Sequence, residues 1–336
     1  MEYQVMGEIS QRKQYVEGIE KWIEKEYVRS EKTREEHFYA TSQTALREEL
    51  VNTLGYPLTA YDKASKKPVG VRQELLCKIE GATLYRMQLE VADGLFFYGM
   101  LLLPNGGQEK RSLLFALHGG AGAPEFIFAD KAHSGNYSAF GRRAIQADRI
   151  IFAPQFLLWD KTHFGTLYNR ELLDAKLRQC GGTITGLEVF CLRRALDYFL
   201  SLSYVDRDRV GVAGLSYGGM YAQTFAAVDE RVRVTLSSCF FGDRRDHVRN
   251  DWCYFNQANM LFDAELVTLI APRKLYIELG DNDSTATAES GRKEEKRLDR
   301  LCKKKGIEKF YTVHYFVGKH EFDTADDGVV FLRENL

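Results

Sequence analysis

Ser216 lies in the pentapeptide Gly-Leu-Ser-Tyr-Gly at residues 214–218, a spacing that suits a nucleophilic serine. The apolar residues 210–213 predict a buried strand before it, and the pattern of residues 220–225 predicts a helix after it. A serine on such a turn is held in a strained backbone conformation, and glycines two residues away let strand and helix approach closely. The alternative interpretation is a serine that only caps the helix.

A serine hydroxyl is a weak nucleophile, so a nucleophilic Ser216 needs a general base and an acid that orients the base. In a strand–turn–helix site of this kind the three residues follow in the order serine, acid, histidine. His320 lies in a loop just after the last predicted strand, which favours it as the base. The other two later histidines are His247, in a charged stretch, and His314, inside an apolar run.

The candidate acids follow a predicted strand at 273–280. We assign Asp283, because its place one residue past the turn lets the carboxylate reach a histidine on the next loop. Asp281 is the alternative acid, and its other interpretation is an Asx-type turn that stabilises the loop. Asp243, after the preceding strand, is a less favoured candidate for the acid. A calcium site at 280–283 lacks the further oxygen ligands that this cation needs.

Backbone N–H groups are the expected donors to the oxyanion of a tetrahedral intermediate. One is that of Tyr217, directly after the serine, and the second is that of Gly119 or Gly120, in the loop after an earlier strand. Trp159 and Trp252 could shape the substrate pocket, with ordinary packing as the alternative.

No metal and no cofactor is required by this scheme, and a ligand pattern such as H-E-x-x-H is missing from the sequence. His118 begins the His-Gly-Gly turn but precedes the serine, so we interpret it as a structural hydrogen-bonding residue. The six cysteines are scattered without a CxxC pair, which favours free thiols over disulfides or a zinc site.

The elements that must position these residues follow from the hydrophobic pattern. Two alternating runs at 83–91 and 95–103 predict an antiparallel hairpin around Asp93 and Gly94. Runs that are apolar throughout follow at 112–120, 149–156, 209–216, 233–239, 273–280 and 311–318. Continuous apolar runs separated by helical patterns are typical of parallel strands covered on both faces. We therefore predict an α/β fold with a doubly wound, mostly parallel sheet, preceded by the hairpin.

Two helical patterns precede the sheet. The first has Tyr15, Ile19 and Trp22 on one face, and the second begins near Ser42 and ends at Gly55. Neither helix could bury its apolar stripe alone, so we expect residues 1–70 to form a helical extension packed on the core. Residues 71–336 then form the catalytic domain.

Composition excludes several classes of function. The 336 residues are 45% hydrophobic and 28% charged with a formal net charge of -1, which is typical of a globular protein and gives no general attraction to nucleic acid or membranes. The sequence contains no pattern of a signal peptide or membrane span, so we expect a cytoplasmic protein acting on a small molecule. Oligomeric state leaves no signal in the sequence.

Four motifs occur in order: HGG at 118–120, GLSYGG at 214–219, GDND at 280–283 and GKHEF at 318–322. On the basis of these motifs, residues 75–325 resemble the α/β-hydrolase superfamily. The segments at 195–219 and 261–283 resemble its dienelactone-hydrolase and acetyl-xylan-esterase-like group. The resemblance implies the α/β-hydrolase fold, with Asp283 as acid and His320 as base. The chain departs from related patterns at Ala121, where HGGG esterases have glycine, and at Lys319, where a glycine precedes the base.

We therefore expect a serine hydrolase that cleaves carboxylic esters of a short acyl group, with acetylated sugars as one candidate class, through an acyl-enzyme. A serine peptidase and a lactone hydrolase of the same fold are the alternatives. An alternative of another class is a non-catalytic binding protein that retains the fold, in which a missing triad residue would be expected.

Overall fold

A computed structural model describes residues 9–79, 81–106, 109–145, 149–158, 168–246 and 248–336. In these ranges nine strands form one sheet: β1 Gly70–Ile79, β2 Ala82–Ala92, β3 Leu95–Pro104, β4 Arg111–Leu117, β5 Ile150–Pro154, β6 Val205–Leu215, β7 Val234–Ser238, β8 Lys274–Gly280 and β9 Tyr311–Phe316. The strand order is β1-β2-β3-β5-β4-β6-β7-β8-β9.

Twelve α-helices lie in the same ranges: α1 Ile9–Ala40, α2 Gln43–Leu54, α3 Tyr61–Ala64, α4 Pro124–Phe128, α5 Phe140–Ile145, α6 Arg170–Gln179, α7 Ile184–Ser201, α8 Tyr217–Val228, α9 Gln257–Met260, α10 Asp263–Thr268, α11 Ala288–Lys305 and α12 Asp327–Asn335. None of the helices in these ranges has the length and apolar character that crossing a bilayer requires.

The sheet confirms the predicted fold class. Strands β4 to β9 pair in parallel, whereas β1, β2 and β3 pair antiparallel with their neighbours. Every residue of β5 and β7 is buried, as continuous apolar runs in a doubly covered sheet require. The predicted hairpin is β2 and β3, and Gly94 in its turn has a φ of +71°. β1 was not predicted, because this edge strand exposes most of its side chains and lacks an alternating apolar face.

The two N-terminal helices differ in how they are covered. α2 begins and ends as predicted: the Ser42 hydroxyl accepts a hydrogen bond from the Ala45 N–H, and Leu46, Leu50 and Leu54 are buried. In α1, by contrast, the side chains expected to form a buried face are exposed, 72% for Tyr15 and 63% for Trp22.

Within the described residues, it is the C-terminal half of α1 that packs against the rest of the chain. Phe38 is buried there, and the buried Arg34 guanidinium lies 3.3 Å from a carboxylate oxygen of Glu265 on α10. The first half of α1 therefore presents apolar side chains that no described part of the chain covers. The division of the chain at residue 70 stays a prediction.

Candidate active site

Ser216 occupies the turn between β6 and α8 with a φ of +59° and a ψ of -118°. A positive φ at a residue with a side chain is strained, and the Ser216 hydroxyl makes no capping hydrogen bond to α8. The flanking glycines have a steric reason: a Cβ on Gly214 would overlap the backbone of Gly218, and one on Gly218 would overlap the carbonyl of Leu117. The chain therefore has the strand–turn–helix geometry that the pentapeptide predicts.

His320 and Asp283 are brought together although 37 residues separate them. His320 Nδ1 lies 2.7 Å from Asp283 Oδ2, and the other carboxylate oxygen accepts hydrogen bonds from the N–H groups of Thr285 and Ala286. The turn around Asp283 is thus the kind of Asx turn that we considered for Asp281. With one oxygen bound to the backbone, the carboxylate holds the imidazole in a single orientation.

The two loops approach because the sheet pairing of β8 and β9 continues beyond the strands. The N–H of Asp281 donates to the carbonyl of Phe316, and that of Asn282 donates to the carbonyl of Gly318. A Cβ on Gly280 would overlap the carbonyl of Lys319, so glycine is required at this approach.

Burial and hydrogen bonding act in opposite directions on Asp283. Burial raises the pKa of this carboxyl, but the hydrogen bond and charge of His320 and the two backbone donors lower it, and the net pKa lies below its usual value. Asp283 therefore stays ionised at neutral pH, as an orienting acid must.

The other candidate acids and bases lie elsewhere. Asp281 is partly exposed, and its Oδ1 lies 2.7 Å from the Arg292 guanidinium on α11. Asp243 pairs with Arg245. His314 points its Nε2 at Asp323 at 3.3 Å. His247 lies outside the described residues.

The His-Gly-Gly turn lies directly beside the serine. A Cβ on Gly119 would be 3.3 Å from the Ser216 Cβ. The Gly119 N–H, however, already donates to the Tyr137 hydroxyl at 2.8 Å, whereas the buried Gly120 N–H has no acceptor among the described residues. Of the two predicted glycines, Gly120 is therefore the one whose donor is available to a ligand. Tyr217 is the first residue of α8, in the turn whose N–H groups need acceptors from outside the helix.

His118 holds that turn in place. The Phe156 N–H donates to His118 Nε2 at 2.9 Å, so the proton sits on Nδ1, which donates to the Gly119 carbonyl at 2.9 Å. Complete burial lowers the pKa of His118 to about 4, and the ring is neutral at physiological pH. The geometry agrees with a structural role.

A cleft contains both Ser216 and His320. Trp252 forms part of its wall, edge-on to Tyr217 with ring centroids 4.8 Å apart, and its Nε1–H has no acceptor among the described residues. Trp159 lies outside the described residues. The lining is mostly apolar: Ser216, Cys239, Phe240, Phe241, Trp252, Asp263, Thr285, Ala286 and His320.

A second, polar cleft lies next to the first, and sequence reasoning missed it. The Tyr217 ring, which lines this second cleft, packs against Trp252 in the wall of the first. The floor of the second cleft is the Arg170 guanidinium, which lies 2.7 Å from Asp251 and 3.1 Å from Glu188, all of them buried. The Tyr217 hydroxyl donates to Asp251 at 3.0 Å. No sequence signal links these charges, because they come from α6, α7 and the loop before Trp252. The cleft is lined by Leu158, Asn169, Arg170, Glu171, Asp174, Tyr217, Val248, Arg249, Asn250 and Asp251.

Within the described residues, two groups of side chains have the spacing of metal ligands. One consists of Cys239, Asp283 and His320, and the other of His314, Asp323 and Asp327. In the first group burial raises the pKa of the Cys239 thiol far above neutrality, so it is a poor ligand, and the other two members already bond to each other.

Comparison with known proteins supports the fold. No family model matches the chain. The protein named "Putative hydrolase YtaP" of Bacillus subtilis (strain 168) is 27% identical over 261 residues, covering 70% of this chain and 87% of its own. A glucuronoyl esterase from Solibacter usitatus superposes with a TM-score of 0.60 at 15% identity, covering 86% of this chain and 91% of that one. Acetyl Xylan Esterase 1 from Thermoanaerobacterium sp. JW/SL YS485 superposes with a TM-score of 0.58 at 15% identity, covering 85% and 98%.

These solved structures are α/β-hydrolases, and identities this low show the fold alone. The chain has the α/β-hydrolase fold.

Proposed function

We propose that the protein hydrolyses carboxylic esters through an acyl-enzyme, with Ser216 as nucleophile, His320 as general base and Asp283 as orienting acid. The observation that carries the proposal is the 2.7 Å contact between His320 and Asp283, in a cleft that is also lined by Ser216 with its φ of +59°. A merely capping serine would need neither the strained conformation nor an oriented imidazole in the same cleft.

In the first half-reaction, Ser216 Oγ attacks the ester carbonyl carbon as its proton passes to His320 Nε2. The carbonyl oxygen becomes negatively charged and accepts hydrogen bonds from the N–H groups of Tyr217 and Gly120. One such donor contributes about 3 kcal/mol to lowering the barrier. The intermediate collapses to the acyl-serine, and the leaving alcohol takes the proton from His320. Water then attacks the acyl-serine while His320 accepts its proton. Collapse of the second tetrahedral intermediate returns this proton from His320 to Ser216 Oγ and releases the acid.

The two clefts favour an ester with a small acyl group and a polar alcohol. The cleft at Ser216 is narrow and walled by Phe240, Phe241 and Trp252, which suits a short apolar group. The neighbouring cleft is lined by carboxylates, guanidinium groups and amides, which suit the hydroxyl groups of a sugar. The names of the structural neighbours, an acetyl xylan esterase and a glucuronoyl esterase, point to the same class of substrate.

The test is an ester panel measured on wild type and on Ser216→Ala. We expect p-nitrophenyl acetate and acetylated xylooligosaccharides to be cleaved faster than longer acyl esters, and Ser216→Ala to lose at least about 10³-fold in kcat. A fluorophosphonate should label wild type at Ser216 and leave the variant unlabelled. Circular dichroism and thermal melting of both proteins are the control for folding.

Other outcomes would identify another function. Faster turnover of peptide amides or of small lactones than of any ester would replace the esterase proposal with a peptidase or a lactonase. A folded wild type that neither reacts with the fluorophosphonate nor cleaves any member of the panel would refute hydrolase chemistry and favour a binding protein.

A further inference from the structure

Three side chains outside the proposed catalytic site converge where β9, the following loop and α12 meet. His314 lies in β9, Asp323 in the loop and Asp327 at the start of α12. One ligand atom from each lies within 4.8 Å of the other two. An imidazole and two carboxylates are ligands that Zn²⁺ accepts readily.

The side chain of Asp323 gives independent support for a bound cation. This residue is 6% exposed, and its Oδ1 accepts a hydrogen bond from the Ala325 N–H. Its Oδ2 is buried and has no hydrogen-bond partner, yet it faces His314 Nε2 at 3.3 Å. A buried carboxylate oxygen without a donor is costly, so a bound cation would satisfy a group that the chain leaves unsatisfied.

The 3.3 Å distance between His314 Nε2 and Asp323 Oδ2 also suits two ligands of one zinc ion. Two ligands at about 2.0 Å from a tetrahedral Zn²⁺ are separated by about 3.3 Å. The third ligand, Asp327, is the first residue of α12, and its side chain is exposed to solvent.

The surroundings provide a rigid support on one side. Glu278 is buried beside His314 in the paired strands β8 and β9, and its Oε1 accepts a hydrogen bond from the Asp323 N–H at 3.0 Å. The nearby cation, Arg143, binds elsewhere: it donates to the backbone carbonyl of Asp323 and to the carboxylate of Asp326. The position between His314, Asp323 and Asp327 is thus left without a positive charge from the described part of the chain.

We propose that His314, Asp323 and Asp327 form a binding site for a divalent transition-metal ion of the Zn²⁺ type, with water completing its coordination. The site is structural. It joins β9, the loop and α12, and so restrains the segment of the chain that carries His320. Zinc binding at these three residues can be measured whether or not the protein is an esterase.

The test uses the full-length protein freed of metal by chelation, titrated with ZnCl₂ against a chromophoric zinc chelator. We expect one ion per chain in wild type, and at least tenfold weaker binding in His314→Gln and in Asp327→Asn, both partly exposed positions where the fold tolerates change. Zinc should also raise the thermal midpoint of wild type and leave that of the two variants unchanged. MgCl₂ at the same concentrations should do neither.

Two control variants separate this site from other zinc ligands. His133→Gln removes a surface histidine that lies 2.7 Å from Asp130, a pair with no third ligand among the described residues, and should bind zinc as wild type does. Cys239→Ser removes a member of the other candidate group and should also retain binding. Undiminished binding in both His314→Gln and Asp327→Asn, loss of binding in Cys239→Ser alone, or a wild type that binds no zinc would each overturn the proposal.

Discussion

Replacing Asp283 by asparagine tests the proposed site most directly, because it removes one charge and changes little else. The amide oxygen of the new side chain can still accept the hydrogen bonds that Thr285 and Ala286 donate to Oδ1. The group that changes is Oδ2, which in the wild type faces His320 Nδ1 at 2.7 Å. An amide NH₂ at that position would donate to Nδ1 and move the imidazole proton to Nε2, where it blocks acceptance of the serine proton.

The magnitude follows from the geometry. In the transition state the imidazole is positively charged, and its charge centre lies about 4 Å from that of the carboxylate, where an effective dielectric constant of about 20 gives an attraction of about 4 kcal/mol. Loss of this attraction corresponds to about a 10³-fold decrease in rate, and the wrong tautomer increases the effect toward about 10⁴-fold. The matched control is Asp281→Asn, which breaks a partly exposed ion pair with Arg292 worth about 0.2–1 kcal/mol.

The assay is kcat and kcat/KM for p-nitrophenyl acetate at pH 7.5 to 8, with thermal melting of each variant. We expect Asp283→Asn to lower kcat by at least about 10³-fold with a nearly unchanged melting midpoint, and Asp281→Asn to change kcat by less than about fivefold. A larger loss in Asp281→Asn would reverse the acid assignment. A decrease of less than tenfold in a folded Asp283→Asn would refute the electrostatic reasoning itself.

Three further predictions concern stability. Ser216→Gly should unfold with a free energy about 1 kcal/mol above that of Ser216→Ala in urea titrations, because glycine adopts a φ of +59° without strain, and equal values would contradict a strained serine. Gly218→Ala should lower the free energy of unfolding by at least about 1–3 kcal/mol, because the new Cβ meets the Leu117 carbonyl. Gly18→Ala lies in an open position of α1 and should raise the free energy of unfolding. Equal effects of the two substitutions would refute the steric argument. Burial and the neighbouring Glu265 raise the pKa of Glu294 to about 8, so between pH 5 and 8 the folded state holds a proton that the unfolded state releases, and stability falls as pH rises. Glu294→Gln should remove much of this dependence. Parallel pH profiles for the free energy of unfolding of wild type and Glu294→Gln would contradict a raised pKa of Glu294.

The fold was predictable because its signals are local. Most of the parallel strands contain a short, continuously apolar run, and the longer helices have their own periodicity, so both can be recognised without knowing which strands pair. Helix α2 was predicted to its capping residues for the same reason. The edge strand β1 was missed because its exposed side chains carry no periodic apolar signal. The strand order, in which β5 lies between β3 and β4, leaves no trace in the sequence.

In the candidate site, too, some features follow from local sequence and others only from the tertiary structure. The sequence by itself determined the turn at Ser216, since a strand, a helix and two glycines within five residues admit few conformations. Only the tertiary structure decided that Asp283 and not Asp281 faces His320, because the answer depends on how two loops continue the pairing of β8 and β9.

The same holds for the pairing of Arg170 with Glu188 and Asp251, and for the convergence of His314 with Asp323 and Asp327. Local patterns reflect nearest neighbours along the chain, where backbone geometry alone sets the spacing. Contacts between distant residues depend on the packing of whole elements, and a small change in any strand or helix orientation would separate these charges.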